Sequence, residues 1–265
     1  MSFPWLTVIG VVPLVGAGVV SALPSANTKL LKQVALGVSL VTLALTIAMA
    51  TQFAPRGDRF QFNQDVSWIP AFGIHYAVGI DGIALVLILM TAVLWPVVIL
   101  ASWNECETTK RSVRTYLSLL VAMETLLIGV FAATDVFLFY VFFEAMLIPM
   151  YFIIGSAGTP RSSYAALKFL LYSLFGGLLM LAAVIGLYVT GGHTFLYSSL
   201  QHLHLAGNDE KWLFLGFFVA FAVKAPLWPF HTWLPDAAAE SPVGGTVLLV
   251  GVLDKVGTFG FLRYC

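Results

Sequence analysis

A lysine stands inside the apolar run FVAFAVKAPLWPFHTW, residues 218–233, and two prolines follow it at once. If this run crosses a membrane, Lys224 lies near mid-depth. A lone cation there costs about 2.5–3.5 kcal/mol on insertion scales, so it needs a partner or a water-filled path. Pro226 and Pro229 lack an N–H and free the carbonyls of Ala222 and Ala225. They are expected to make the helix irregular between about Ala222 and Phe230. Unsatisfied backbone at that depth is tolerated only against protein or a wet cavity. A charge and a broken helix at one place therefore suggest an ion path. Lysine suits protons in particular, because burial weakens its hold on a proton and a nearby carboxylate strengthens it. A moving partner can switch such a group between holding and releasing.

The candidate partners are carboxylates at similar depth. Glu144 lies in DVFLFYVFFEAMLIPMYF, ten residues past Thr134, and Glu124 lies in YLSLLVAMETLLIGVF, ten residues before it. With a tight turn near Thr134, both sit about 15 Å from that turn, near the midplane. Pro149 frees the carbonyl of Ala145 just beyond Glu144. Lys255 is twelve residues into the last apolar run, also near mid-depth. Asp254 precedes it, but neighbouring residues point about 100° apart on a helix, so the two need not share a partner. His231 is seven residues after Lys224, two turns along the same face if the helix resumes, and is a candidate proton relay.

Each group has a plainer reading. Glu144 and Lys224 are also read as a structural ion pair that fixes packing, but the two prolines after Lys224 favour the ion path. Glu124 is also read as a satisfied interior carboxylate, His231 as an interfacial histidine and Asp254 as a local partner. Lys168, near the start of its helix, is expected to snorkel to the inner surface. His193, His202 and His204 share one loop without a third close ligand for the H-x-H pair, and are read as solvated. Cys106 and Cys265 support neither a disulfide framework nor a metal site.

The elements that must position these groups are membrane helices. Of the 265 residues, 60% are hydrophobic and 10% are charged, against about 25% charged in soluble domains. The fold class expected is an all-α polytopic membrane protein. Its zero net charge gives a nucleic-acid partner no electrostatic support. The start, MSFPWLTV, lacks the basic region of a cleaved signal, so the first helix is expected to be retained. Runs of about 20 apolar residues fall at 3–23, 33–53, 82–102, 115–133, 136–157, 165–190, 212–233 and 243–262, which makes eight spans. The longest loop, 54–81, alternates aromatic and polar residues between turn formers and predicts a hairpin at the interface. The loop 191–211 predicts a short amphipathic surface helix. With the N-terminus outside, the inner loops hold Lys29, Lys32, Lys110, Arg111, Arg114 and Arg161, and the outer regions hold Arg56, Arg59, Lys211 and Arg263. That small positive-inside excess sets the expected orientation. No Walker A motif, haem ligand pair, cysteine cluster or dinucleotide fingerprint is present.

Two stretches carry a resemblance. FLFYVFFEAMLIPMYFIIG, 137–155, and the run from FFVAFAVKAPLWPFHTWLPDAAAESP to VLDKVGTFGFLRY, 217–264, resemble the antiporter-like subunits of respiratory complex I, NADH-quinone oxidoreductase, of the subunit M (mitochondrial subunit 4) type. The resemblance covers almost the whole chain in helix order and loop length. It implies the first of two inverted repeats, with helices one to three and the outer hairpin in 1–113 and the proton-translocating repeat in 114–265. The chain stops after the eighth span, so the second repeat is absent and Cys265 is read as a truncation point. The resemblance further implies that Glu144 and Lys224 form the proton-site pair, that Lys255 continues the polar axis, and that Glu124 and His231 are supporting residues. Asp254 departs from the apolar residue usual before that lysine, and its acid is expected to bias the proton affinity of Lys255. No cofactor is expected in this chain; NADH, FMN, iron–sulfur clusters and quinone belong to other subunits. The implied partners are the other membrane subunits of the complex and the lipid bilayer, in a cell inner (plasma) membrane. The alternative is a subunit of a multisubunit sodium/proton antiporter or a membrane-bound hydrogenase. The PMY after Glu144 and the APLWPFHTWLPDA run favour subunit M. A purely structural membrane spacer is the third reading.

Overall fold

The structure is a computed structural model, and it describes residues 3–201, 203 and 207–265. Helices α1 (Trp5–Ala22), α2 (Thr28–Ala50), α3 (Gly82–Ala101) and α4 (Val113–Ala132) begin the chain. Three of them start where a side chain satisfies an orphan backbone N–H. Asn27 accepts from the Leu30 amide at 3.1 Å, Asp81 from Ala84 at 2.9 Å and Ser112 from Thr115 at 3.2 Å. α4 is the central helix and packs against α1, α2, α3 and the fifth span. The Trp95 indole of α3 donates to the Leu120 carbonyl of α4 at 2.9 Å.

The fifth span is two pieces, α5 (Val136–Ala145) and α6 (Leu147–Ile154), divided at Met146. The division follows from Pro149, which cannot donate to the Ala145 carbonyl. α7 (Ser162–Thr190) is the longest helix, with 29 residues. Its exposed stripe, Leu167, Leu171, Leu174, Leu178, Ile185 and Val189, is apolar, as a face against lipid must be. The short helix α8 (Tyr197–Leu200) follows in the expected surface segment. Then come α9 (Gly207–Lys224), α10 (Trp233–Glu240), α11 (Val243–Leu248), a π-helical stretch Leu249–Leu253, and α12 (Asp254–Tyr264).

Seven of the eight expected spans are helices long and apolar enough to cross a membrane. The exception is the seventh. Its helix α9 stops at Lys224 instead of continuing to Trp233, and its 18 residues include Asp209, Glu210, Lys211 and Lys224. The break has taken the apolar end of the span out of the helix.

The predicted hairpin is present. Strands β1 (Gln61–Ile69) and β2 (Ile74–Ile80) pair antiparallel, with Gln64 opposite Val78 and Val66 opposite Tyr76. Gly73 closes the turn at φ +61°, a left-handed conformation that a residue without Cβ adopts freely. The hairpin does more than lie at the interface. Thr134 donates its amide to the Ala77 carbonyl at 2.9 Å, and Tyr197 donates its own to the Thr134 carbonyl at 2.9 Å. Asp135 accepts from the amides of Leu138 at 2.9 Å and His75 at 3.2 Å, so one carboxylate caps α5 and holds β2. Burial raises the Asp135 carboxyl above its usual range, and these N–H donors oppose that shift. Arg263 of α12 completes this side by pairing with Asp81 at 3.1 Å. The opposite side is tied by Lys32–Glu107 at 2.6 Å, Lys168–Asp236 at 2.8 Å, and the Val243 amide on Glu105 at 2.9 Å.

Asp135→Ala is therefore expected to cost about 1–3 kcal/mol, because it removes a cap and leaves the part-buried His75 amide unpaired. Amide hydrogen exchange across residues 74–80 should speed up first. Unchanged exchange there would place the hairpin anchor elsewhere.

Candidate functional site

α9 ends at Lys224 for a chemical reason. The Ala225 amide still reaches the Phe221 carbonyl at 2.7 Å, but Pro226 has no N–H for Ala222. The Ala222 carbonyl instead accepts from Leu227, one residue further on, at 2.8 Å. The chain then runs irregularly, through a cis Trp228–Pro229 peptide, to a 3-10 turn at Phe230–Thr232 and on into α10. The buried Trp233 indole bridges the break by donating to the Val223 carbonyl at 2.9 Å. The Ala222 carbonyl thus finds its donor within the protein. Lys224 occupies the last turn of α9, where the negative end of the helix dipole favours a cation.

The Lys224 side chain is 1% exposed and its Nζ has no hydrogen-bond partner among the described residues. The ammonium lies 5.2 Å from the Phe143 ring centroid and 5.4 Å from that of Phe169. Such contacts hold a cation without strong directionality, each contributing about 0.5–2 kcal/mol. Glu144 is in the last turn of α5, one residue after Phe143, and its Oε1 is likewise buried without a partner. The charges of Glu144 and Lys224 act on each other, yet no ion pair joins them among the described residues.

Two adjacent glycines of α7 make room for this arrangement. A Cβ on Gly177 would collide with the Glu144 carboxylate. A Cβ on Gly176 would lie 3.2 Å from the Ala220 Cα and 3.3 Å from the Val223 Cβ of α9. Gly177 thus gives the acid its space, and Gly176 lets α9 approach. Sequence reasoning passed over both, although a Gly–Gly pair inside a long apolar helix signals close packing.

The other expected residues are placed differently. Glu124 is fully buried in α4, with neither oxygen hydrogen-bonded among the described residues. His231 falls in the 3-10 turn beyond the break, with Nδ1 buried and unpartnered. It does not lie two turns along the face of Lys224, because the helix does not resume in register. Lys255 donates from Nζ to the Val250 carbonyl at 3.1 Å. Of the neighbours Asp254 and Lys255, it is Asp254 whose charge acts on Lys224. Lys168 does not simply snorkel to the surface; it pairs with Asp236, and its ammonium holds that carboxyl below the usual range. His193 packs edge-on against Tyr188, while His202 and His204 lie outside the described residues. Among the described residues no cluster of three metal-ligating side chains occurs.

Residues 133–265 match the family model "NADH:quinone oxidoreductase/Mrp antiporter, TM", and residues 25–130 match "NADH-ubiquinone oxidoreductase chain 4, amino terminus". NADH-quinone oxidoreductase subunit M of Mycobacterium tuberculosis (strain CDC 1551 / Oshkosh) is 47% identical over 99% of this chain and 54% of its own length. A chain of respiratory complex I from Thermus thermophilus with bound NADH superposes with a TM-score of 0.83 at 33% identity, over 98% of this chain and 52% of that one. A chain of the Mrp complex from Dietzia sp. DQ12-45-1b shares the fold, with a TM-score of 0.83 at 21% identity, over 97% of this chain and 28% of that one. The chain spans about half the length of the curated relatives it matches. One model covers half of the residues and the other most of the rest, so this chain belongs to the NADH:quinone oxidoreductase/Mrp antiporter transmembrane family, with an amino-terminal part of the NADH-ubiquinone oxidoreductase chain 4 type.

Proposed function

We propose that this chain is the proton-translocating part of an antiporter-like membrane subunit of NADH:quinone oxidoreductase, with Glu144 and Lys224 as its proton site. The observation that carries this reading is the open pair. Elsewhere in the chain, ion pairs that hold elements together are closed, at 2.6 Å for Lys32–Glu107 and 2.8 Å for Lys168–Asp236. Glu144 and Lys224 face each other across one interior with a polar atom of each buried and unpartnered. A buried charge pair held apart is a poor structural clamp. It is suited to a group that changes partner as protons arrive and leave. Glu144 takes a proton on its carboxylate, Lys224 loses its counter-charge, and its ammonium is then easier to deprotonate.

In this reading the energy comes from quinone reduction by NADH on other subunits, which carry the redox cofactors. Glu124, Lys255 and His231 support the path, Glu124 from its own buried place in α4. The partners are the neighbouring membrane subunits of the complex, in a bacterial plasma membrane. The match of 25–130 to the chain 4 amino terminus and the 47% identity to a subunit M support this over the sodium/proton antiporter alternative.

Glu144→Gln keeps the shape and removes the titration. In membrane vesicles carrying the assembled complex, NADH-driven proton uptake is expected to fall by about tenfold or more, with the amount of complex unchanged. Normal pumping by this variant would remove Glu144 from the mechanism. Equal losses of pumping and assembly would favour a structural spacer.

A further inference from the structure

The eighth span turns a second acid toward Lys224. It contains a π-helical stretch, Leu249–Leu253, a widened turn that accommodates an extra residue, and the Asp254 amide donates to the Leu249 carbonyl, five residues back. α12 begins immediately afterwards, at Asp254. Residues three apart on a helix share a face, and Gly257 shows where that face points. A Cβ on Gly257 would lie 2.6 Å from the Ala225 amide nitrogen and 2.9 Å from the Phe221 carbonyl oxygen. Gly257 is thus packed directly on the backbone at the end of α9, next to Lys224. Asp254 shares this face; its Oδ1 is buried without a hydrogen-bond partner among the described residues. Lys255 is about 100° further round the helix, and its ammonium donates to the Val250 carbonyl at 3.1 Å. Among the described residues, the charges that act on Asp254 are those of Lys255 and Lys224. Glu144, from α5, is the other acid that acts on Lys224.

We propose that Asp254 is the second carboxylate of Lys224 and receives the proton that Glu144 delivers to it. The inference rests on the reading of Glu144 and Lys224 as a proton site. The ammonium, which among the described residues has the rings of Phe143 and Phe169 beside it and no hydrogen-bond partner, can lean toward either acid. In the forward step an N–H bond of the Lys224 ammonium breaks and an O–H bond forms on the Asp254 carboxylate, leaving amine and acid, both neutral. The Glu144 carboxylic acid then gives its proton to the amine, which restores the ammonium and leaves Glu144 ionised. One proton has crossed from the α5 side of Lys224 to the α12 side, and the three groups together carry the same charge as before. Asp254 is thereby assigned to Lys224, where the sequence suggested an influence on Lys255 alone.

The test compares Asp254→Asn, Asp254→Glu and Glu144→Gln in membrane vesicles carrying the assembled complex, reading protons pumped per NADH oxidised against pH. Asp254→Asn should lower pumping by about tenfold, and Asp254→Glu should restore most of it with a shifted pH profile. Normal pumping by Asp254→Asn beside a defective Glu144→Gln overturns this inference and leaves the site standing. Normal pumping by both overturns the site and the inference with it. Equal defects in Asp254→Asn and Asp254→Glu mark a packing role and also overturn it. If Asp254→Asn does not assemble, the Asp254→Glu profile decides: a shift supports the proton role, and an unchanged profile removes it.

Discussion

Exchanging the two charges, Glu144→Lys with Lys224→Glu, is expected to assemble better than either single change. Each single change leaves two like charges in one buried interior, since Lys224 is 1% exposed and a Glu144 oxygen is buried. Breaking a buried pair costs about 3–5 kcal/mol, which is about a hundredfold or more in an assembly equilibrium. The double change restores neutrality. The pair is open in the structure, so the coupling is electrostatic across a gap and does not depend on one hydrogen-bond geometry. Pumping is not expected to return, because the order of proton affinities along the path is reversed. The measurement is the yield of complex in membranes for the two singles and the double. A double no better than the worse single would show that the two positions are not coupled.

Gly177→Ala is expected to leave the complex assembled and to reduce pumping by about tenfold to a hundredfold. The added methyl group falls where the Glu144 carboxylate now sits. A carboxylate is the far end of a flexible side chain, so the acid swings aside and the helices keep their places. A displacement of about 1 Å is enough to cost two orders of magnitude in a step that depends on alignment. The same geometry predicts a rescue. Adding Glu144→Asp withdraws the carboxylate by one methylene and removes the overlap, so Gly177→Ala/Glu144→Asp should pump better than Gly177→Ala alone. Pumping rates in vesicles, normalised to the amount of complex, decide the matter. A Gly177→Ala variant that pumps normally would show that the acid does not need this pocket.

Much of the molecule is legible in the sequence because it depends on local chemistry. Span length and apolar composition are local, and they located the seven described helices that are long and apolar enough to cross a membrane. The turn formers and alternating residues of 54–81 are local, and the hairpin stands there. Proline's missing N–H is local, so the breaks near Met146 and after Lys224 were readable. The carboxylates and lysines themselves stand in plain view as charges in apolar runs.

What tertiary structure decided is which way each helix is turned. A membrane helix is apolar on nearly every face, so its sequence carries little of the amphipathic contrast that orients a soluble helix toward its core. Rotation about the axis is settled by close packing of small residues against neighbouring helices. Gly176 and Gly177 seat α7 on α9 and on the Glu144 carboxylate; Gly257 seats α12 on the end of α9. With α12 turned in that way, the face that Gly257 shares with Asp254 packs on the end of α9. How the chain departs after a proline is likewise a matter of which donors the surroundings supply. The Leu227 amide and the Trp233 indole take the carbonyls of Ala222 and Val223. That pairing ends the helix at Lys224 instead of bending it, and carries His231 off the face it would have shared. The identities of the charges belong to the sequence, and their partners belong to the packing, because in a uniformly apolar helix only contact with another helix distinguishes one face from the next.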